Sequence, residues 1–317
     1  MTRRRQPSSP SSPGVAEHRH AHDAHGHAHG RARAPRAGRA LGTAALITLA
    51  FAAVQAAGGW WTGSLALLSD AGHMLGDSAA LALAAFAAWL GRRAPSARHS
   101  YGLGRVEVFA ALANALALLA IAALIALEAL ARWEEPPAVR GGAAALIAFA
   151  GLLVNLFILS RLTAHRHDLN ARAAMLHVIG DALGSVAALV SGLVIALTGW
   201  LRVDPIAALA ICVLIAVAGL RLARESVHAL MEGVPRGLSV EAIGREMASV
   251  EGVVSVHDLH VWTLSGSRIA LSAHVVVASM AQWDRTLHAL QHRLHERFRI
   301  DHVTLQPELG TRPLVRY

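Results

Sequence analysis

The chain has no lysine and one cysteine, and charged side chains make up only 16% of its 317 residues. Each shortage excludes something. Cys212 alone cannot close an intramolecular disulfide, so no cystine framework holds the fold. A soluble globule is roughly a quarter charged, so this is not the composition of an ordinary soluble domain. Without lysine, the net charge of +8 comes from arginine alone. A charge built throughout from one residue type reads as compositional drift of the source genome. It does not imply nucleic-acid binding, and no nucleic-acid partner is expected.

What the chain has instead is apolar length. The composition is 54% hydrophobic, gathered into runs near 41–58, 64–90, 105–131, 141–162, 173–198 and 203–224. A helix needs roughly 20 apolar residues to cross hydrocarbon, so six transmembrane helices are expected over 41–232. Residues 1–40 are rich in Arg, His, Ser and Pro and should be disordered. They form too long a polar tail for a cleavable signal peptide. Arginines cluster in alternate loops (Arg92, Arg93 and Arg98, then Arg161, Arg166 and Arg172) and in the tail. That asymmetry places both termini in the cytoplasm. Trp60, Trp61, Trp133 and Trp200 fall at the opposite interface.

Two of the apolar runs carry the same pair: His73-Met-Leu-Gly-Asp77 and His177-Val-Ile-Gly-Asp181. Residues four apart share a helix face. Two such helices facing each other would present two imidazoles and two carboxylates to one point, a tetrahedral set suited to zinc. A carboxylate in mid-membrane costs about 2.5–3.5 kcal/mol on insertion scales, so it implies a partner or a pathway. Small neighbours (Gly72, Gly76, Gly180, Gly184) allow the close helix approach that a shared site requires. Asp70, one turn before His73, is expected to steady the ligands from behind or to start the helix. Gln55, Asn114 and Asn155 are expected to bond between helices, and Pro136-Pro137 and Asp204-Pro205 to mark outer turns.

From Gly233 to the C-terminus the chain is polar enough for one small soluble domain. A helix is expected over 239–249, strands over 253–262 and 268–277 joined at Ser265-Gly-Ser267, a helix over 281–297 and a strand over 300–305. The order α-β-β-α-β suggests an open two-layer sandwich. The fold class is thus a membrane all-α six-helix bundle followed by a small cytoplasmic α+β domain (233–317).

Ser64-Leu-Ala-Leu-Leu-Ser-Asp-Ala-Gly-His-Met-Leu-Gly-Asp77, His177-Val-Ile-Gly-Asp-Ala-Leu-Gly-Ser185, Tyr101-Gly-Leu-Gly-Arg-Val-Glu107 and Val256-His-Asp-Leu-His-Val-Trp262 together resemble the cation diffusion facilitators. The similarity spans about 40 to 310. It implies a homodimer with a copper-chaperone-like cytoplasmic domain, exporting divalent metal by exchange for protons from the cytosol across a bacterial inner membrane. His-Asp on both helices is similar to the zinc-transporting branch, so the metal ligands are His73, Asp77, His177 and Asp181. Zinc is the cargo, with cadmium or cobalt as alternatives, and no catalytic cofactor is implied. By the same resemblance, Arg105 and Glu232 form an ion pair tying bundle to soluble domain, against an unpaired interfacial charge. His257, His274 and His302 form a regulatory metal site in which zinc is the ligand, against ordinary surface or core histidines. His99 lacks the second histidine of a further loop site, because Leu103 stands there. His18, His20, His22, His25, His27 and His29 form a tract that either gathers metal or is merely solvated, and His288, His292 and His295 read as a solvated helix face.

Two rival classes fit the chain less well. A zinc hydrolase would need an open coordination position and a general base; four equivalent donors fill the shell, and no His-Glu-x-x-His occurs. A metal sensor acting through the soluble domain would not explain carboxylates in mid-membrane.

Overall fold

The computed structural model describes residues 34–163, 169–265 and 268–310. Long helices come first: α1 (Ala34–Thr62), α2 (Leu65–Gly91), α3 (Val106–Glu134), α4 (Gly141–Thr163), α5 (Leu169–Thr198) and α6 (Val203–Leu230). By length and composition, α2 to α6 each hold a stretch able to cross a membrane, and α1 adds the shorter apolar segment Leu46–Thr62. Their surface is inverted relative to a soluble protein. Leu116, Leu124, Leu127, Leu146 and Val213 are exposed, whereas Gln55, Asp70, Asn155, Asp181 and Asp204 are buried. Hydrocarbon satisfies no polar group, so these side chains must satisfy one another.

Asp204 shows how. It is not in an outer turn, as the Asp-Pro pair suggested, but in the first turn of α6, where Pro205 is tolerated because early N–H groups need no helical partner. The Asp204 carboxylate accepts from Leu65 N at 2.5 Å, Ser64 Oγ at 2.7 Å and Ser191 Oγ at 3.2 Å. Ser64 itself accepts from Leu67 N at 3.3 Å. The free N–H groups at the start of α2 are thus capped by its own serine and by a carboxylate from α6.

Small residues bring helices together. An added Cβ on Gly141 would lie 2.7 Å from Ala196 N, and one on Gly192 would lie 2.5 Å from Ala145 N, so α4 and α5 touch through backbone. Trp61 and Trp133 sit at the bundle end opposite the C-terminal domain, with Arg140 and Arg202 4.7 and 5.6 Å from their ring centroids.

The C-terminal domain follows the order α7 (Val240–Ala248), β1 (Val253–Ser265), β2 (Arg268–Val277), α8 (Trp283–Phe298) and β3 (His302–Leu309). Ser239 caps α7, accepting from Ala242 N at 3.2 Å. Sheet order is β1-β2-β3, with β1 and β2 antiparallel and β2 and β3 parallel. Leu271, Ala273, Val275 and Val277 pack with Ile243, Met247, Leu290, Leu294 and Ile300 in the core. Alternate residues, including Ser272 and His274, occupy the other face. β3 runs four residues past the expected end because it is an edge strand, where Pro307 breaks no ladder on its outer side.

The loop from α2 to α3 reaches this domain. Gly104 lies so close to Ser265 that a side chain there would overlap it. Arg105 and Glu232 form the expected ion pair at 2.7 Å.

Candidate metal centre between α2 and α5

α2 and α5 bring the four duplicated-motif residues together. His73 Nδ1 lies 3.4 Å from Asp77 Oδ2, and His73 Nε2 lies 3.7 Å from Asp181 Oδ1. His177 Nε2 lies 3.4 Å from Asp77 Oδ2 and 3.7 Å from Asp181 Oδ2. Donors about 2.0–2.1 Å from a tetrahedral zinc are separated by roughly 3.3–3.4 Å along each edge. The observed separations bring the four side chains together, but His73 reaches the two carboxylates through different nitrogens and Asp181 reaches the two imidazoles through different oxygens, so they are not the edges of one tetrahedron. Donor atoms of His73, Asp77 and Asp181 all fall within 4.8 Å of one another; His177 stands outside that group of three, with Nε2 3.4 Å from Asp77 Oδ2 and 3.7 Å from Asp181 Oδ2. His73 Nδ1, Asp77 Oδ2 and Asp181 Oδ1 are buried and accept or donate no hydrogen bond among the described residues. Buried polar atoms in native proteins nearly always have partners, so atoms aimed at a common point suit an ion.

Access is uneven. Asp181 is 1% exposed, His73 and Asp77 are 17% and 15% exposed, and His177, one turn nearer the C-terminal domain, is 42% exposed. The most exposed of the four is thus the one nearest that domain. On the other side of the quartet Gln55, Asp70, Asn155 and Ser185 join α1, α2, α4 and α5: Gln55 Nε2 donates to Asp70 Oδ2 at 2.7 Å, and Ser185 Oγ donates to the same atom at 3.0 Å. Gln55 and Asn155 bond between helices as expected; Asn114 makes no such bond among the described residues.

The soluble-domain histidines divide. β1 bulges between His257, paired with His274, and His260, paired with Ser272. The extra residue, with Asp258 at φ 51°, keeps His257 and His260 on one face. The His257 and His274 rings are 5.2 Å apart. Glu308 completes the group: Oε1 is 2.6 Å from His274 Nδ1, and Oε2 is 3.0 Å from His257 Nε2. The two histidine bonds, His274 first, hold the Glu308 carboxyl below the usual carboxylate range. His302 is not part of this group, contrary to expectation. It pairs with Ala270, whereas Gln306 pairs with His274; four residues of strand are roughly 13 Å. Its ring instead stands edge-on to Tyr101 at 5.7 Å. Glu308 was missed because its register depends on a parallel crossover; the only sequence signal was a carboxylate on the last strand at the parity of the β2 histidine. On α8, His292 pairs with Glu296 at 3.4 Å and His295 with Asp301, on an exposed face. The histidine tract of residues 18–29 lies outside the described residues.

Two histidines and two aspartates drawn together within an apolar helical bundle, with a small α+β domain beyond its end, mark a membrane protein that handles metal ions. Comparison with known proteins narrows this. Residues 41–231 match the cation efflux transmembrane domain, and 235–309 match the cation efflux protein cytoplasmic domain. The zinc transporter ZitB of Escherichia coli is 42% identical over 265 residues, covering 83% of this chain and 84% of that protein. The cadmium, cobalt and zinc/H(+)-K(+) antiporter of Bacillus subtilis is 38% identical, covering 80% and 84%. The metal cation efflux system protein CzcD of Cupriavidus metallidurans is 35% identical, covering 86% and 87%. The chain belongs to the cation efflux family, and it is an integral membrane protein.

Proposed function

We propose that this chain exports zinc from the cytosol in exchange for protons, holding the metal with His73, Asp77, His177 and Asp181. The observation that carries the reading is the approach of α2 to α5 at the site, with His73 Nε2 3.7 Å from Asp181 Oδ1 and His177 Nε2 3.4 Å from Asp77 Oδ2. Imidazole nitrogens favour zinc over harder ions, and cadmium or cobalt are secondary cargoes. Zinc needs neutral imidazole and ionised carboxylate, so loading expels protons and acid expels zinc. The most exposed of the four, His177, lies nearest the C-terminal domain, which on the arginine distribution faces the cytoplasm. Rocking of α2 and α5 against their neighbours would turn the site to the far side. The protein acts as a homodimer in a bacterial inner membrane, both termini cytoplasmic. Zinc binding at His257, His274 and Glu308 regulates it by favouring a transport-competent population. Four donors leave no open position for a zinc-bound water, which supports a carrier over an enzyme. In proteoliposomes with an acid interior, zinc should accumulate inside. Dissipating the pH gradient should abolish accumulation; uptake indifferent to that gradient would refute the exchange.

A further inference from the structure

One buried polar cluster has no part in zinc coordination. Gln55 on α1, Asp70 on α2, Asn155 on α4 and Ser185 on α5 are all buried. Beside the two bonds to Asp70 Oδ2, Asn155 Nδ2 donates to Ser185 Oγ at 3.2 Å. Three oxygens remain: Gln55 Oε1, Asp70 Oδ1 and Asn155 Oδ1 accept no hydrogen bond among the described residues. Gly184 bears on the same spot, because an added Cβ would fall on Asp70 Oδ1. Only glycine lets that unpartnered oxygen lie against α5.

We propose that Gln55, Asp70, Asn155 and Ser185 form a second cation site, made of oxygen alone, that takes a monovalent alkali cation. The unpartnered atoms sit on side chains already joined to one another. A single proton would satisfy one acceptor and leave the two amide oxygens orphaned, whereas a cation draws on several at once. One carboxylate balances one positive charge; a divalent ion would leave a net charge in the bilayer interior. Neutral carbonyl and hydroxyl oxygens suit hard ions and offer zinc neither nitrogen nor sulfur. Asp70 precedes His73 by three residues and Ser185 follows Asp181 by four, so the site lies about 5 Å along the helix axes beyond the zinc quartet, on the side away from the C-terminal domain. Its role as a counter-ion site rests on the transport reading above, but its occupancy does not.

Equilibrium dialysis of the purified full-length protein against radioactive rubidium, a potassium stand-in, and against radioactive sodium tests occupancy without zinc. One equivalent of one of the two per chain is expected, with Asn155→Leu reducing it at least tenfold; choline as the background cation fixes ionic strength. In wild type, zinc affinity at fixed pH should differ between the bound alkali salt and choline, by a factor in the roughly 5–150-fold range of coupled sites. That ratio should fall to about one in Asn155→Leu, whatever its absolute affinity. Failure of both rubidium and sodium to bind wild type stoichiometrically would overturn the proposal. Alkali binding without any zinc binding would leave the site standing and overturn the zinc quartet instead.

Discussion

Replacing Asp181 by asparagine removes one charged donor while keeping the side chain's size. Asp181 lies 3.7 Å from each of His73 Nε2 and His177 Nε2 through its two oxygens, and it is the most buried of the four. No neighbouring carboxylate on its own helix can replace it: Asp181 is the one acidic residue in the sequence of α5. Zinc sites of four protein donors bind with about 10–16 kcal/mol, so an equal share is roughly 3 kcal/mol per donor. At about 1.4 kcal/mol per decade this is about a hundredfold in affinity. The asparagine carbonyl can still ligate weakly, so at least tenfold is expected. Calorimetric zinc titration of the detergent-solubilised protein at neutral pH measures it, repeated in buffers of different ionisation enthalpy to count released protons. Zinc flux into acid-interior proteoliposomes should fall in parallel, while the melting temperature stays close to wild type. Wild-type zinc affinity and flux in Asp181→Asn would refute the four-donor cage.

Other consequences follow from the same geometry. Asp204→Ala leaves Ser64 Oγ, Leu65 N and Ser191 Oγ without their acceptor and should cost about 1–3 kcal/mol for each group left unsatisfied, seen as a lowered melting temperature in detergent; an unchanged melt would show the cap to be dispensable. Glu308→Gln should weaken zinc binding at the soluble-domain group by about tenfold or more, whereas His302→Ala should leave that binding step intact; the reverse pattern in zinc titrations would restore His302 as a ligand. Arg293, hydrogen-bonded at 2.6 Å, and Arg297 hold the Glu246 carboxyl below its ordinary value of 4.5. A depressed value stabilises the fold above the unfolded value and loses that contribution as pH falls through the folded one. The α7–α8 contact should therefore hold down to about pH 4.5 and weaken only below it; Glu246→Gln should flatten that acid limb in pH-dependent unfolding, and an unaltered limb would remove the pair from the account.

The helices and the two histidine–aspartate pairs were legible in the chain because their signals are local. An apolar run announces a spanning helix by length alone, and His73/Asp77 and His177/Asp181 announce a shared face by their four-residue spacing. Gly184 likewise marked a close approach, since an added Cβ there would overlap Asp70 Oδ1, whereas Gly180 has open space beside it. The C-terminal order of elements was readable for the same reason, from alternating and helical periods. Strand ends were misplaced: β1 runs on to Ser265, and β3 spans His302–Leu309, its end unforeseen because Pro307 argues against a strand unless its edge position is known.

Composition and periodicity determined that this is a membrane bundle with a histidine–aspartate pair on two of its helices, since both follow from distances along one helix. Tertiary structure decided which distant groups meet. Asp204 reaches α2 across 140 positions to Ser64, the parallel register of β3 exchanges His302 for Glu308, and four helices converge on Asp70. The physical reason is that such contacts depend on helix rotation and strand register, which change a side chain's partner without changing any local pattern.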